Sequence, residues 1–406
     1  MWYKTIELSE VITDIAAGPF GSNLKVSCFV DFGFPIIDGA NLRGYKVTDN
    51  ITKYVTEEKA LSLYRSIAHR GDIVVTISGN VGQISYIPGD SKYEAYLCSQ
   101  RQFRVTFDTS LVYVPFLVFY FHTYEGQHKI LSFANQTGVP ALSQPLKNFK
   151  KIQIDLPSLD NQKRIASVIE KLNNKIELNA KINENLEQQI EAIILAFLEN
   201  KDAIPVKLGD YLYIKGRIGW KGLKKSEYLS QSGYRIINGE TLTKSGIDWN
   251  KAGYISEERY IESPEIMLKV GDILLSKDGT IGKIGYVDSL ELPTSVASGI
   301  FVIRNNKPDI ISTTFIYYLL KSRIFESFIV ARTEGSVIPH LYQKDFMEFE
   351  FPLPSSDKMA KFEELTEPMF SQIVNNLNEN KKLTALRDGL LPKLMSGELD
   401  VTDLDI

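Results

Sequence analysis

Residues 71–86 read GDIVVTISGNVGQISY, and residues 271–286 read GDILLSKDGTIGKIGY. The same shift of 200 positions relates two further pairs of segments: IIDGANL (36–42) with IINGETL (236–242), and YVTEE (54–58) with YISEE (254–258). Solenoid proteins repeat every 20–50 residues or so, and a shift this long predicts two similar globular domains instead. Any function therefore has to be sought in a pair of related domains.

The composition is that of a soluble globular chain. Of its 406 residues 44% are hydrophobic and 24% charged, which fits about two to three domains. The longest uncharged apolar run, 111–121, contains Pro115 and is far shorter than the roughly 20 residues that cross a bilayer. The first residues have no signal-peptide pattern. We expect a cytoplasmic protein without a membrane span, in which Cys28 and Cys98 are reduced core residues.

Positive charge is local, although the formal net charge is −4. An acidic total argues mildly against a protein covered in phosphate contacts, which Lys and Arg usually make. Between 207 and 225, however, basic residues outnumber the single acid Asp210: Lys207, Lys215, Arg217, Lys221, Lys224 and Lys225. The C-terminal tail is acidic, with Asp400, Asp403 and Asp405.

Each globular part has the pattern of an α+β fold with a mixed β-sheet and short helices. β-Branched and aromatic runs between Gly, Asn, Asp and Ser clusters predict strands, and two apolar stretches predict short helices. The predicted strands are 73–77, 103–107, 273–276 and 300–304, and the predicted helices are 114–122 and 314–323.

A long helix is predicted after the first globular part. Apolar residues recur at spacings of three and four: Ile165, Val168, Ile169, Leu172, Ile176, Ile182, Leu186, Ile190, Ile193 and Phe197. A helix from 165 to 197 would be about 50 Å long at 1.5 Å per residue. Leu156, Pro157, Ser158 and Asp160 form a plausible start, and Pro205 follows its end.

A second long helix repeats the first at a shift of 197, and we expect the three-residue drift near 137–149. Asn179 and Asn183 interrupt the first apolar stripe, and Asn376 and Asn380 take the equivalent places in the second. A buried Asn penalises wrong registers, so these residues predict an antiparallel coiled coil between the helices. The alternative is that each stripe packs only on its own domain.

A proline in the second long helix and the ends of the two helices bear on the domain boundaries. Pro368 predicts a break in the second helix, or a late start, near Thr366. The predicted domains are then 1–157 and 202–354 as globular units, with 158–201 and 355–406 as the two helical segments, related by an internal pseudo-two-fold repeat.

Catalytic motifs are poorly represented. The His and Cys residues form neither CxxC nor HExxH, so no metal site is predicted. The segment 277–284 lacks the first Gly and the closing Ser or Thr of a phosphate loop, and the glycine pairs near 18–21 and 216–219 are poor dinucleotide fingerprints. Residues 57–59 contain an E-x-K sequence, better explained as a solvated face. We expect a non-catalytic chain.

Polar residues near the repeated glycines are the candidates for DNA contacts. Arg and Lys read guanine in the major groove, and Asn and Gln read adenine. The first domain offers Ser22, Asn23, Lys25, Asn41, Arg43, Asn80, Gln83, Gln100 and Arg101. The second offers Arg217, Trp220, Lys221, Lys224, Lys225, Asn238, Thr241, Lys244, Lys277, Asp278, Thr280 and Lys283. Each alone is better explained as a solvated turn residue. Together, equivalent positions keep the glycines and change the polar residues.

The chain resembles the specificity (S) subunit of Type I restriction-modification systems over essentially its full length. LPSLDNQKRIA at 156–166 and KIELN at 175–179 are similar to the family's central conserved helix, and NENKKL at 378–383 with LLPKLMSGEL at 390–399 to its distal helix. GPFGS at 18–22 and GRIGWKGL at 216–223 resemble openings of two classes of target recognition domain.

The resemblance implies two target recognition domains that each read one half of an asymmetric, split site in double-stranded DNA. The paired helices would set the spacer and bind two methyltransferase subunits, with restriction subunits in complexes that carry them. S-adenosylmethionine, ATP and Mg²⁺ would be bound by those partners, and this chain would bind no cofactor. The alternative class is a two-headed protein-binding adaptor on a helical stalk, and an enzyme is the third.

Overall fold

The computed structural model describes residues 3–135, 139–199, 203–217, 222–243, 246–333 and 340–401. The chain divides into two compact units. Unit 1 comprises Met1–Glu177 with Asn380–Ile406, and unit 2 comprises Leu178–Glu379. Each unit contains a head of strands and short helices together with a part of each long helix.

The head of unit 1 contains short strands and short helices. Its strands are β1 Tyr3–Glu7, β2 Ile12–Ala17, β3 Phe29–Val30, β4 Phe34–Ile37, β5 Tyr54–Val55, β6 Ile67–His69, β7 Ile73–Thr76, β8 Ile84–Tyr86, β9 Ala95–Cys98, β10 Gln102–Phe107, β11 Ala134–Asn135, β12 Ala141–Leu142 and β13 Gln153–Pro157. Its helices are α1 Glu57–Ser62, α2 Val114–Phe121, α3 Tyr124–Leu131 and α4 Pro145–Lys150. The long helix α5, Leu159–Leu198, begins in unit 1 and ends in unit 2.

The head of unit 2 has a related order of strands and short helices. Its strands are β14 Ile204–Lys207, β15 Leu212–Gly216, β16 Arg235–Ile237, β17 Leu242–Thr243, β18 Gly246–Ile247, β19 Gly253–Tyr254, β20 Ile273–Ser276, β21 Ile284–Tyr286, β22 Thr294–Val296, β23 Ile300–Asn305 and β24 Glu350–Leu353. Its helices are α6 Glu257–Ile261, α7 Thr313–Lys321, α8 Arg323–Thr333 and α9 Gln343–Met347. The long helix α10, Ser356–Met395, begins in unit 2 and ends in unit 1.

The two heads share the topology of one sheet and the parallel pair of a second. An antiparallel four-stranded sheet has the order β2-β10-β7-β8 in unit 1 and β15-β23-β20-β21 in unit 2. A second sheet contains the parallel pair β4–β9 in unit 1 and the parallel pair β16–β22 in unit 2. The chain ends of each head pair as β1–β13 and β14–β24. The predicted mixed sheet and the predicted strands and short helices are confirmed.

The repeated Gly-Asp pair closes the same turn in both heads. The Asp72 carboxylate accepts a hydrogen bond from the His69 backbone N–H at 2.8 Å, and Asp272 accepts one from the Lys269 N–H at 2.7 Å. The glycine before each aspartate has φ near +90° (90° and 92°), a conformation that glycine adopts without strain. The turn explains why both residues recur at the shift of 200.

The predicted position of the three-residue drift was wrong in part. Ile36 is opposite Leu97, and Ile236 is opposite Ser295, so the shift between the copies is already 198 at β9 and β22. Two residues of the drift therefore lie in the loops before these strands. A loop tolerates such a length change because it disturbs no ladder of hydrogen bonds.

The predicted first long helix is confirmed, and it begins six residues before the apolar stripe. It starts at Leu159, directly after Ser158, whose Oγ accepts a hydrogen bond from the Asn161 backbone N–H at 3.4 Å. A serine at this position caps the helix, because its hydroxyl accepts a hydrogen bond from one of the otherwise unpaired N–H groups of the first turn.

The predicted break at Pro368 was wrong. The second long helix is continuous from Ser356 to Met395. Proline removes the hydrogen bond to the carbonyl four residues earlier, here that of Glu364. Both Pro368 and Glu364 are exposed, so water can hydrate this carbonyl. The neighbouring Thr366 is buried and donates its hydroxyl to the Phe362 carbonyl at 2.9 Å.

In each unit the two long helices pair with each other and also pack on the head. In unit 1, Ile165 and Ile169 of α5 and Leu391 and Leu394 of α10 belong to one buried cluster with the head. In unit 2 a corresponding cluster contains Ile190 and Ile194 of α5 with Met359, Phe362, Phe370 and Ile373 of α10. The apolar stripe of each long helix therefore contacts both the other long helix and the head. The alternative that each stripe packs only on its own domain is wrong.

The asparagines of the stripe make contacts between the helices. In unit 2, Asn376 Nδ2 donates to Asn183 Oδ1 at 2.7 Å, and Asn179 Nδ2 donates to Glu379 at 2.7 Å. In unit 1, Asn380 Nδ2 donates to the Ile176 carbonyl at 3.3 Å. Residue numbers rise along one helix as they fall along the other, so the pairing is antiparallel, as predicted.

Candidate nucleic-acid interface

The head of unit 1 contains an open cleft of about 620 Å³. Three turns and a loop form its walls: the turn after β4, the turn between β7 and β8, the turn before β10, and the loop that leads into β3. Gly39 and Gly79 lie in two of these turns. The repeated glycines therefore mark the walls of a cleft.

The cleft brings together five of the residues that the sequence predicted for DNA contacts. These are Arg43, Asn80, Gln83, Gln100 and Arg101, of which Gln83 is half-buried and the others are exposed. Three more predicted residues, Ser22, Asn23 and Lys25, are exposed on the loop that carries the lining residues Leu24 and Val26.

Asn41 is a correction to the predicted contact set. Its side chain is buried, and its Nδ2 donates to the carbonyls of Thr48 and Asn50, both at 3.2 Å. Its Oδ1 accepts from the Asp38 backbone N–H at 3.1 Å. A side chain that uses its donors and acceptor inside the turn stabilises the cleft wall and has little left for a ligand.

The cleft of unit 1 is positively charged. Within the described part of the chain, neither Arg43 nor Arg101 has a carboxylate partner. Lys53 is paired with Asp38 at 2.7 Å. Burial raises the pKa of the Asp38 carboxyl, but the hydrogen bonds from Lys53 and from the Ala40 backbone N–H outweigh burial and hold this pKa below its usual value. Asp38 is thus neutralised by Lys53, and the two arginines supply the free charge.

Several lining residues were missed at the level of sequence. Thr76 belongs to β7 and was interpreted only as a residue of the predicted strand 73–77, and Gln102, the first residue of β10, directly precedes the predicted strand 103–107. Asp38, Lys53 and Ser78 were not distinguished from ordinary turn and loop residues. The nearby glycines Gly39 and Gly79 were the available signal, because a glycine in a turn permits close approach of another group.

In unit 2 the equivalent turn between β20 and β21 carries four predicted residues. Lys283 donates from Nζ to the Gly239 carbonyl at 2.8 Å. Asp278 is hydrogen-bonded to His340 Nδ1, and its other oxygen lies 3.8 Å from Lys277 Nζ. Thr280 is exposed. Lys224 and Lys225, also predicted, are exposed in the loop before β16.

Three predicted residues of unit 2 have structural roles instead. Arg217 is buried and donates from Nε to the Val296 carbonyl at 3.1 Å, and burial lowers the pKa of its guanidinium. Thr241 is buried, and its Oγ1 donates to the Lys251 carbonyl at 3.2 Å. Asn238 Oδ1 accepts from the Thr241 backbone N–H at 3.1 Å and closes the turn. The sequence pattern could not distinguish the buried Arg217 and Thr241 from surface residues.

The remaining predicted residues lie outside the described part of the chain. They are Trp220, Lys221 and Lys244.

The basic residue occupies a different strand end in each head. The Ile77 backbone N–H donates to the Arg101 carbonyl at 2.7 Å, and the Lys277 N–H donates to the Gly299 carbonyl at 2.9 Å. In unit 1 the basic side chain, Arg101, therefore lies on the turn before β10. In unit 2 the basic side chain, Lys277, instead follows β20, on the other strand of the equivalent pair. One backbone arrangement carries two different side-chain patterns.

A family model described as Type I restriction modification DNA specificity domain matches residues 33–188 and 200–383. The chain belongs to the Type I restriction-modification specificity-subunit family. This confirms the resemblance from sequence and, with the two heads and long helices, the predicted fold class.

Curated specificity subunits are similar over most of their length. The Type I restriction enzyme MjaIX specificity subunit of Methanocaldococcus jannaschii is 24% identical, over 87% of this chain and 83% of that protein. The HindI specificity subunit of Haemophilus influenzae is 21% identical, over 81% of this chain and 87% of that protein.

The same fold occurs in a solved specificity subunit. The S subunit of a Type I restriction-modification system from M. genitalium aligns with a TM-score of 0.60 and 17% identity, over 97% of this chain and 96% of that chain. At this identity the likeness establishes the fold of the subunit alone.

The described residues show neither a metal site nor a membrane-spanning helix. They contain no group of three or more His, Cys, Asp or Glu side chains suited to hold a metal ion. None of the described helices has the length and apolar character needed to cross a membrane.

Proposed function

We propose that this specificity subunit recognises double-stranded DNA through both heads, and that each head reads one half of a bipartite, asymmetric site. The observation that carries the proposal is the pair of equivalent turns, between β7 and β8 in unit 1 and between β20 and β21 in unit 2. The two heads share sheet order and turn geometry, yet equivalent positions hold Asn80 and Thr280, or Gln83 and Lys283. Two scaffolds of one shape with different polar groups fit two unlike half-sites.

In unit 1 the proposed contacts divide into two kinds. Arg43 and Arg101 supply charge for phosphates, which position a protein on DNA. The amides of Asn80, Gln83 and Gln100 supply donors and acceptors for base edges. Ser22, Asn23 and Lys25 extend this surface along the adjoining loop, and Asn41 supports it from inside.

In unit 2 the proposed contacts are Lys277, Asp278, Thr280 and Lys283 on the turn between β20 and β21. Lys224 and Lys225, which are exposed, are the proposed phosphate contacts. Trp220, Lys221 and Lys244 stay in the proposed set as sequence predictions. Lys and Arg contacts with phosphates release counterions, so this part of the affinity should fall with salt.

We assign the paired helices to the spacer and to partner binding. Support comes from the antiparallel contacts in each unit and from large apolar side chains exposed on the helices, among them Leu178 and Leu377 of unit 2 and Leu386 of unit 1. Contiguous apolar patches on a protein surface mark sites that bind other proteins. Two methyltransferase subunits, and restriction subunits where a system has them, are the proposed partners.

The asparagines are proposed to select the register of the helix pair. Their hydrogen bonds to each other, to Glu379 and to the carbonyls of Ile176 and Ile373 form in one alignment and are lost in a shifted one. A fixed register fixes the spacer, because the distance between two DNA-reading surfaces selects the number of bases between half-sites.

Chemistry is assigned to the partner subunits, which would bind S-adenosylmethionine, ATP and Mg²⁺. The domain boundaries proposed for this arrangement are 1–157, 158–201, 202–354 and 355–406. The first and third segments are the heads, and the second and fourth contain the helices α5 and α10.

Genome-wide mapping of methylated adenines tests the function. The chain is expressed with its methyltransferase subunit in a host that lacks other methylation. We expect one bipartite motif with unlike halves, which disappears when the chain is omitted. A chain that copurifies with the methyltransferase but leaves the methylation pattern unchanged would support the adaptor alternative and overturn the proposal.

A further inference from the structure

One equivalent pair, Gln83 and Lys283, occupies the same place in the two heads. Each follows the turn between the paired strands, β7–β8 in unit 1 and β20–β21 in unit 2. Gln83 reaches Gly39, where an added β-carbon would lie 3.1 Å from its Oε1. Lys283 reaches the equivalent Gly239 and donates to its carbonyl at 2.8 Å. The two side chains therefore have the same origin and direction and differ in their chemistry.

The side-chain amide of Gln83 has its oxygen hydrogen-bonded within the head and its nitrogen available to a ligand. Its Oε1 accepts a hydrogen bond from the buried Thr76 hydroxyl at 3.2 Å. This contact assigns the oxygen to the inner side, and Nε2 has no hydrogen-bond partner among the described residues. The oxygen keeps a second lone pair. Gln83 can thus donate and accept at once, which is the pattern that adenine N7 and N6 require in the major groove.

Lys283 can only donate. Its ammonium carries three donors and no acceptor, and one donor is used by the Gly239 carbonyl. The two that remain match the acceptors O6 and N7 of guanine, and they oppose the N6 donor of adenine.

The hydroxyl residues at the equivalent positions 76 and 276 also make different hydrogen bonds. Thr76 in unit 1 donates to the Gln83 side chain. Its equivalent Ser276 donates instead to the Thr280 carbonyl at 2.7 Å and accepts from the Lys283 backbone N–H at 2.8 Å. Unit 2 therefore uses this hydroxyl to hold the turn and leaves the Lys283 ammonium to the surface.

The geometry points to positions 83 and 283 as equivalent specificity positions, where Gln83 selects adenine in the half-site of unit 1 and Lys283 selects guanine in the half-site of unit 2. This inference rests on the proposed function, because it assigns base preferences to residues of the same proposed DNA-reading surfaces. It concerns one base pair in each half-site, and the other contacts set the rest of the motif.

Reciprocal substitutions test the inference. Gln83→Lys and Lys283→Gln are each expressed with the methyltransferase subunit, and methylated adenines are mapped across the host genome. We expect Gln83→Lys to change one adenine to guanine in one half of the motif, and Lys283→Gln to change one guanine to adenine in the other half. The preference at that position should shift by roughly 5- to 150-fold, the range of a good bidentate base contact.

Matched controls separate charge from position. Gln153→Lys adds the same charge on an exposed strand residue of unit 1, and Lys269→Gln removes the same charge from an exposed residue of unit 2. Both should keep the wild-type motif. Gln83→Ala provides a second variant without a new charge, and it should relax the same position of the motif that Gln83→Lys changes.

The outcomes distinguish the inference from the function beneath it. A wild-type bipartite motif that survives both reciprocal substitutions with the same bases would overturn the base assignments and leave DNA recognition intact. Loss of affinity for all sequences equally would also overturn them, since that is the behaviour of a phosphate contact. A wild-type complex without a bipartite motif would overturn the proposed function itself.

Discussion

Asn376 and Asn183 form an amide pair in the helix interface of unit 2, with Asn376 Nδ2 donating to Asn183 Oδ1 at 2.7 Å. Both side chains are buried. Asn183 also donates to the Ile373 carbonyl at 3.3 Å, so the pair joins both helices through more than one hydrogen bond. Buried amides satisfied in one alignment penalise every shifted alignment, in which they lose their partners.

The amide pair predicts unequal effects of single and double substitutions. Asn376→Leu should lower the free energy of unfolding by about 1–3 kcal/mol, because it leaves the Asn183 oxygen buried without its donor. Asn183→Leu combined with Asn376→Leu should cost less than the sum of the single changes, since both polar partners are gone. Urea midpoints of the three variants measure this. Strictly additive losses would show that the two amides act independently.

Salt dependence tests the charge of the unit 1 cleft. Arg43→Gln with Arg101→Gln removes the two lining arginines that have no carboxylate partner in the described part of the chain. If both contact phosphates, the slope of log K against log salt should become shallower by about two units. The measurement is binding of the assembled complex to its own duplex at several salt concentrations. Arg65→Gln, another exposed arginine of the head, is the matched control. An unchanged slope would remove these arginines from the phosphate contacts.

Acid sensitivity of unit 1 follows from Asp14. Its carboxylate is hydrogen-bonded to the buried Arg104 guanidinium at 2.6 Å, and this hydrogen bond outweighs burial and lowers the pKa of Asp14. A lowered pKa stabilises the fold above the unfolded value of about 3.9, and this contribution is lost as pH falls through the folded value. Asp14→Asn should therefore flatten the fall of Tm below about pH 4.

The control for Asp14 is Asp31→Asn, which changes an exposed aspartate of the same head. It should leave the acid limb of the Tm profile as steep as in the wild type. Equal profiles for Asp14→Asn and the wild type would exclude the Arg104 pair as a source of acid sensitivity.

The helices predict the length of the unread spacer. Asn183 faces Asn376, so 180–186 and 373–379 are opposing heptads. Removing both segments shortens both helices while keeping the apolar stripe in phase. Mapping of methylated adenines should then find the two half-sites unchanged and fewer bases between them. The same motif with the original spacing would contradict a spacer role for the helices.

Much of the fold could be predicted from the repeat, because each copy confirms the other. The turn closed by Asp72 and Asp272 recurs because a carboxylate must accept a backbone N–H there, and this requirement is visible as a repeated Gly-Asp pair. Pro368 was misinterpreted because the cost of a helical proline depends on whether the freed carbonyl reaches water. The sequence alone does not show whether that carbonyl is exposed to water.

The candidate site was predicted less completely, for a reason that Asn41 illustrates. An asparagine in a Gly-rich turn has the same local sequence whether its amide faces the cleft or the backbone of Thr48 and Asn50. Arg217 presents the same difficulty, since it is buried and donates to the carbonyl of Val296, which lies on a strand distant in sequence. The lining residues Thr76 and Gln102 were missed because strand pattern does not reveal which strand ends meet in a cleft.

The central claim is that two heads of one design read two unlike half-sites, and a chain with two copies of the first head tests it most directly. Residues 202–354 are replaced by the sequence of 1–157, and methylated adenines are mapped with the methyltransferase subunit present. We predict a symmetric motif in which the half-site of unit 1 occurs twice, in inverted orientation. A motif that keeps the original second half-site would contradict the claim.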